Sequence, residues 1–67
     1  MQLSFNKLWK LLIDRNMKKK DLQRVAGISS ASIAKLGKNE PVSLEVLMKI
    51  CYALDCNFGD IVDFVKK

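Results

Sequence analysis

The sequence of 67 residues has no histidine, one proline and three glycines, and its seven acidic residues are outnumbered by twelve basic ones. Without histidine, a zinc site would need unusual ligands, and acid–base catalysis would lack its most common side chain. No glycine-rich phosphate loop is present, and no pair of carboxylates is expected in an apolar pocket. These absences predict a protein that is not an enzyme and that holds no metal ion and no cofactor.

Cysteines and long apolar runs are also scarce. Two cysteines, Cys51 and Cys56, are too few for a disulfide scaffold. We expect Cys51 on the inward face of a helix, where a free thiol behaves as a small hydrophobe. The longest apolar run is far shorter than the ~20 residues that cross a bilayer. No secretory signal stands at the N-terminus. The expectation is a reduced, cytoplasmic chain that does not contact a membrane.

The net charge of +5 is unevenly distributed along the chain. Residues 1–41 contain nine Lys and Arg against three Asp and Glu, whereas residues 42–67 contain three lysines against four acids. Such a basic segment favours a surface that meets a polyanion. The alternative is charge that only keeps the protein soluble.

Helical periodicity accounts for most of the apolar residues, which make up 49% of the chain. The first predicted helix spans about Phe5–Arg15, with Ser4 as its N-cap. A fourth spans about Leu44–Ala53 behind the N-cap Ser43, and a fifth begins after Asn57. The expected inward side chains are Phe5, Leu8, Trp9 and Leu12 in the first, Leu44, Leu47, Met48, Cys51 and Leu54 in the fourth, and Phe58, Ile61, Val62 and Val65 in the fifth.

The segment between Met17 and Asn39 is the most informative. Leu22, Val25 and Ala26 form a helical stripe, and Gly27 after them can adopt a positive φ. Ile28 follows as a buried anchor, and Ser29 is the N-cap of the next helix, which turns Ile33 and Leu36 inward. Two short helices joined by a glycine turn predict a helix-turn-helix over about residues 18–37.

The outward face of the second of these helices consists mostly of small side chains. Ser30, Ala31, Ala34 and Lys35 point away from the core. Small side chains let a helix approach base edges closely, alanine contacts thymine methyls, and serine or lysine hydrogen-bonds bases. The alternative is that alanine and serine are merely suitable for a helix surface. Three lysines, Lys18–Lys20, begin the preceding helix, where the helix dipole disfavours cations, so an anionic partner is favoured.

The spacing of these residues resembles the Cro/C1-type family of phage-repressor-like transcriptional regulators, also called the XRE family. The matching positions are Leu22, Ala26, Gly27, Ile28, Ser29, Ile33 and Leu36, followed by Pro41, Ser43, Leu44, Leu47, Leu54 and Phe58. The resemblance implies an all-α, five-helix bundle of the lambda-repressor-like DNA-binding type, as one domain over residues 1–67. It also implies a bacterial or phage regulator, a repressor, whose third helix (about residues 30–36) enters the major groove of double-stranded DNA.

The resemblance also assigns the DNA contacts. It implies base contacts from Ser29, Ser30, Ala31, Ala34 and Lys35. It implies phosphate contacts from Lys18, Lys19, Lys20, Lys38 and Asn39, with Lys19 at the position of the phosphate clamp. The chain departs from the family where it has Gly37 in place of a frequent glutamate and Leu12 in place of the partner arginine. Gly37 is expected to shorten or loosen the end of the third helix.

Apolar residues remain on the last two predicted helices. Val46, Ile50, Phe64 and Val65 predict a patch that binds a second copy of the chain. The alternative is that Phe64 folds back onto the first helix. A rival function is a protein-interaction module on the same fold, such as an antitoxin or co-regulator. No small-molecule ligand is expected, since a chain this short has no room for a sensor domain.

Overall fold

A computed structural model describes residues 2–66, which form helices and one small sheet. The elements follow in the order β1 (Gln2–Ser4), α1 (Asn6–Asp14), α2 (Lys19–Ala26), α3 (Ser30–Gly37), α4 (Leu44–Leu54), a 3-10 turn (Phe58–Asp60) and β2 (Asp63–Val65). The two strands pair antiparallel, with Leu3 opposite Phe64. Both ends of the described chain therefore meet beside the helices.

The core takes side chains from every helix. Its fully buried members are Phe5, Leu8, Leu22, Leu36, Ile50, Leu54 and Ile61. Leu12 is also buried, as expected for the stripe of α1, whereas Trp9 is only half-buried. α2 packs against both α3 and α4. No polar or charged side chain among residues 2–66 is buried, so burial of apolar area holds these helices together.

The predicted helix caps in the middle of the chain are confirmed. Ser29 Oγ accepts a hydrogen bond of 3.1 Å from the Ser32 N–H, and Ser43 Oγ accepts one of 3.2 Å from the Val46 N–H. Gly27 ends α2 at φ +66°. Asn16 and Asn39 also lie in the left-handed region, with φ +56° and +57°. Because these signals are local, the sequence alone predicts the ends of α2 and α3 to within about one residue.

The predicted five-helix bundle is wrong after α4. Asn57 begins a 3-10 turn instead, and its N–H donates to Asp60 Oδ2 at 2.9 Å. Gly59 in this turn is a poor helix former. Val65 and its neighbours pair with β1, which satisfies their backbone groups. Within residues 2–66 the α-helices number four.

Three smaller expectations are also corrected. Ser4 lies in β1, and Phe5 is the N-cap of α1, one residue later than predicted. Phe58 is 40% exposed rather than buried. Gly37 does not shorten α3, which continues through that residue to its C-cap at Lys38.

The predicted inward face of α4 is wrong. Leu47 and Leu54 are buried as expected, but Ile50 fills the core between them. Leu44 and Met48 are 67% and 61% exposed. The stripe formed by residues 47, 50 and 54 is as regular as the stripe formed by residues 44, 47 and 51. Apolar side chains occupy both stripes. Contact with α2 and with the 3-10 turn selects the first stripe.

The rotation of α4 changes the patch predicted to bind a second copy. Ile50 is fully buried, so it cannot contact another molecule. Val46 and Val65 are half-buried, and Phe64 is 56% exposed on β2. The predicted patch is therefore not a continuous apolar surface.

Candidate nucleic-acid interface

The outward face of α3 is held by two inward anchors. Leu36 is fully buried and Ile33 is half-buried, while Ile28 is buried in the turn before the helix. This anchoring leaves all five predicted base-contacting residues exposed, namely Ser29, Ser30, Ala31, Ala34 and Lys35. The face is shallow because four of these five side chains are small.

The two serines at the start of α3 have different surroundings. Besides accepting from the Ser32 N–H, Ser29 Oγ lies 3.1 Å from Ser32 Oγ. Its hydroxyl is therefore already engaged as the helix cap. The Ser30 side chain makes no hydrogen bond to any other residue between 2 and 66, so its hydroxyl is available to an incoming base edge.

The start of α2 carries exposed lysines around one carboxylate. Lys18, Lys19 and Lys20 are all exposed. The Lys18 N–H donates to Asp21 Oδ2 at 2.9 Å, and Arg24 Nη2 lies 3.3 Å from Asp21 Oδ1. The hydrogen bond from Lys18 lowers the pKa of Asp21, and Arg24 lowers it further. Asp21 thus supplies the negative charge that a helix N-terminus favours.

The Lys19 ammonium, on α2, lies close to one residue of α1 and to one residue of α3. Its Nζ lies 4.6 Å from the centre of the Trp9 ring on α1. It also lies 3.4 Å from the place that a Cβ on Gly37 would occupy. Lys38 and Asn39 follow Gly37 directly, so the fold brings predicted phosphate-contacting residues from α2 and from the end of α3 into one region.

Asn39 has a structural contact that the sequence did not predict. Its Oδ1 accepts a hydrogen bond of 2.9 Å from the Phe5 N–H, the N-cap residue of α1. The side chain therefore ties the exit of α3 to the entry of α1. Only its amide NH₂ remains to donate to a phosphate.

Trp9 is the site residue whose role the sequence did not indicate. Helical periodicity placed it with Leu8 in the core, and the ring is half-buried under Lys19. The approach of residue 19 to residue 9 is a tertiary contact, which periodicity does not encode.

The cysteines do not form a disulfide, and both are half-buried. Burial raises the pKa of Cys56 to about 11, and a hydrogen bond with Cys51 contributes to the rise. Burial likewise raises the pKa of Cys51. Both thiols are therefore protonated at neutral pH. Across residues 2–66, no cluster of three or more potential ligands is suited to a metal ion, and no helix is both long and apolar enough to cross a bilayer.

Comparisons with known proteins identify a family. Residues 7–67 match the family model of the Cro/C1-type helix-turn-helix (HTH) DNA-binding domain. The chain is 39% identical over 56 residues to the uncharacterized HTH-type transcriptional regulator YozG of Bacillus subtilis (strain 168), covering 81% of this chain and 67% of YozG. It is 56% identical to the transcriptional regulator VanUg in its crystal structure (form II), with a TM-score of 0.93 over 98% of this chain and 88% of that one. The chain therefore belongs to the Cro/C1-type HTH DNA-binding family of transcriptional regulators.

Proposed function

We propose that the chain is a sequence-specific regulator that inserts α3 into the major groove of double-stranded DNA. The observation that carries this proposal is the small, exposed face of α3, flanked by the lysines of α2 and by Lys38. A helix without bulky outward side chains can lie close to base edges, and flanking lysines neutralise phosphates. Residues 1–67 act as one DNA-binding domain in this proposal, on DNA in the cytoplasm. The proposed effect on transcription is repression, because a protein bound at a promoter is enough to block transcription from that promoter.

The residues divide into two roles. Ser30, Ala31, Ala34 and Lys35 contact bases, whereas Ser29 shapes the start of α3 as its cap and lies beside them. The phosphate contacts come from Lys18, Lys19, Lys20 and Lys38, with the Asn39 amide next to them. Phosphate contacts fix the register of the protein on the duplex, and base contacts supply the sequence preference.

Alanine variants of single lysines test this division. Lys35→Ala is expected to weaken binding to a preferred site about tenfold, within the ~1–3 kcal/mol of a base contact, with a smaller effect on random DNA. Lys19→Ala should weaken binding to both and lower the salt slope of log K by about one. Fluorescence anisotropy with labelled duplexes at several salt concentrations measures both quantities.

Lys10→Ala is the matched control, since Lys10 is exposed on α1 and belongs neither to the proposed DNA contacts nor to α4. It should leave affinity and salt slope near the wild-type values. An unchanged slope in Lys19→Ala would contradict the phosphate role of Lys19. Equal losses on both kinds of DNA in Lys35→Ala would contradict its base contact.

A second copy of the chain is proposed to bind the exposed stripe of α4. Leu44, Met48 and Tyr52 follow one another at intervals of four residues, and Tyr52 is 91% exposed. Glu45 and Lys49 border the stripe. If two α4 helices pack antiparallel about Met48, Leu44 faces Tyr52 of the other copy, and Glu45 comes within reach of Lys49 of the other copy. Such self-complementarity suits a two-fold dimer, which binds two DNA half-sites.

A further inference from the structure

We propose that Trp9 is a positioning residue for DNA binding, whose ring holds the Lys19 ammonium at the end of α3, where it meets a backbone phosphate. The inference rests on the proposed DNA-binding function and adds a residue that touches no DNA itself.

The ammonium of Lys19 lies against the Trp9 ring and near the end of α3. Lys19 Nζ is 4.6 Å from the centre of the ring, within the range of a cation–π interaction, and tryptophan is the strongest aromatic partner for a cation. It is also 3.4 Å from the place that a Cβ on Gly37, the last residue of α3, would occupy. The C-terminal end of a helix carries partial negative charge, which favours a cation.

These contacts leave the charge of Lys19 available to an anion. An ammonium has three N–H donors, and a ring face takes up only one side of it. The ion pairs found among residues 2–66 join Arg24 to Asp21 and Lys49 to Glu45, so no carboxylate of this part of the chain neutralises Lys19. A phosphate that approaches from solvent therefore meets a cation that no carboxylate of this part of the chain neutralises.

Holding the side chain in place lowers the cost of binding. A lysine loses considerable rotamer entropy when its ammonium is fixed by a ligand. If Trp9 restricts the side chain before DNA arrives, less entropy is lost on binding and affinity rises. The contribution of Trp9 to DNA affinity must then depend on the presence of Lys19. A purely structural contribution of Trp9 to the fold would instead be independent of Lys19.

A double-mutant cycle measures that dependence. The probe is a labelled, random-sequence duplex of about 20 base pairs, bound at about 50 mM salt, where phosphate contacts dominate. Trp9→Leu in the wild-type background is expected to weaken binding about three- to fivefold, the size of an exposed cation–π contact. In the Lys19→Met background the same change should alter binding less than about twofold. Trp9→Phe keeps an aromatic face and should retain most of the affinity.

Trp9 emission provides a second, independent readout, because Trp9 is the single tryptophan of the chain. Addition of the duplex should change the emission of the wild-type protein, since a phosphate at Lys19 alters the charge beside the ring. Lys19→Met should lose most of that change. Lys10→Met, which removes an exposed lysine of α1 outside the proposed DNA contacts, is the matched control and should keep it.

The outcomes separate this inference from the function on which it rests. Coupling between Trp9 and Lys19, together with loss of the emission change in Lys19→Met, supports it. If the wild type binds the duplex but the two substitutions act additively, or the emission change survives in Lys19→Met, the positioning role is overturned while DNA binding stands. If the wild type binds no duplex at low salt, both the positioning role and the proposed function are overturned.

Discussion

Asp21 shows how one carboxylate makes a cluster of lysines compatible with a helix start. Three consecutive lysines at the N-terminus of α2 oppose the helix dipole. Asp21 accepts the Lys18 N–H at 2.9 Å and also pairs with Arg24. Because the carboxylate satisfies a free backbone donor and supplies the favourable charge, the lysines can remain exposed for an anionic partner.

This arrangement predicts a pH dependence of stability. The folded protein holds the pKa of Asp21 below its ordinary value of 3.8, chiefly through the Lys18 N–H. The ionised form is therefore favoured by folding, and its stabilisation is present above that ordinary pKa. It is lost as the pH falls through the lower, folded-state pKa. We expect Asp21→Asn to melt at a lower temperature than the wild type at pH 7, with the difference shrinking below about pH 4.

Thermal unfolding followed by circular dichroism between neutral and strongly acidic pH measures this difference. Asp14→Asn is the control, since Asp14 is exposed at the other end of a helix, the last turn of α1, where a carboxylate caps nothing. A difference between Asp21→Asn and the wild type that stays constant down to the lowest pH would contradict the role given to Asp21.

Among the elements, α4 differs most from its sequence-based prediction. Nearly all its residues are apolar, so two stripes compete for the core and local periodicity cannot choose between them. The structure buries the stripe with Ile50 and leaves the stripe with Leu44, Met48 and Tyr52 in solvent. An exposed apolar stripe on a helix is typical of an interaction surface.

The α4 stripe predicts self-association. Met48→Glu would place two like charges opposite each other in an antiparallel pair and should shift the protein to a monomer of about 7.6 kDa. Ile13→Glu is the matched control, because Ile13 is 72% exposed on α1 and lies outside the stripe. Sedimentation equilibrium over a range of protein concentrations measures the oligomeric state of the wild type and of both variants. A wild type that remains monomeric at the highest concentration would exclude the dimer.

The remaining differences between prediction and structure have one physical cause. The caps at Ser29 and Ser43 and the turn at Gly27 depend on neighbouring residues, and the sequence predicted them correctly. The pairing of Leu3 with Phe64 joins opposite ends of the chain and leaves no local signal in strands of three residues. The contact between Trp9 and Lys19 is likewise a product of helix packing.

At the scale of the whole molecule, size limits what one copy can recognise. The described chain measures 33 × 23 × 17 Å, so its longest dimension is close to one turn of DNA, about 34 Å. In the proposed binding mode, a single copy would cover about one half-site and would reach few bases through the shallow face of α3. Two copies joined through α4 would double the base contacts, which is how a small reading surface can still select a site.

Selection of bound duplexes from a random DNA library at about 150 mM salt tests sequence-specific binding by α3, because phosphate-only binding is weak there. We expect an enriched motif. If two copies bind together, the motif should be a palindrome with half-site centres about 10 base pairs apart. No enrichment at this salt, together with no binding to any duplex at low salt, would contradict a DNA-binding role and favour a protein-interaction module on the same fold.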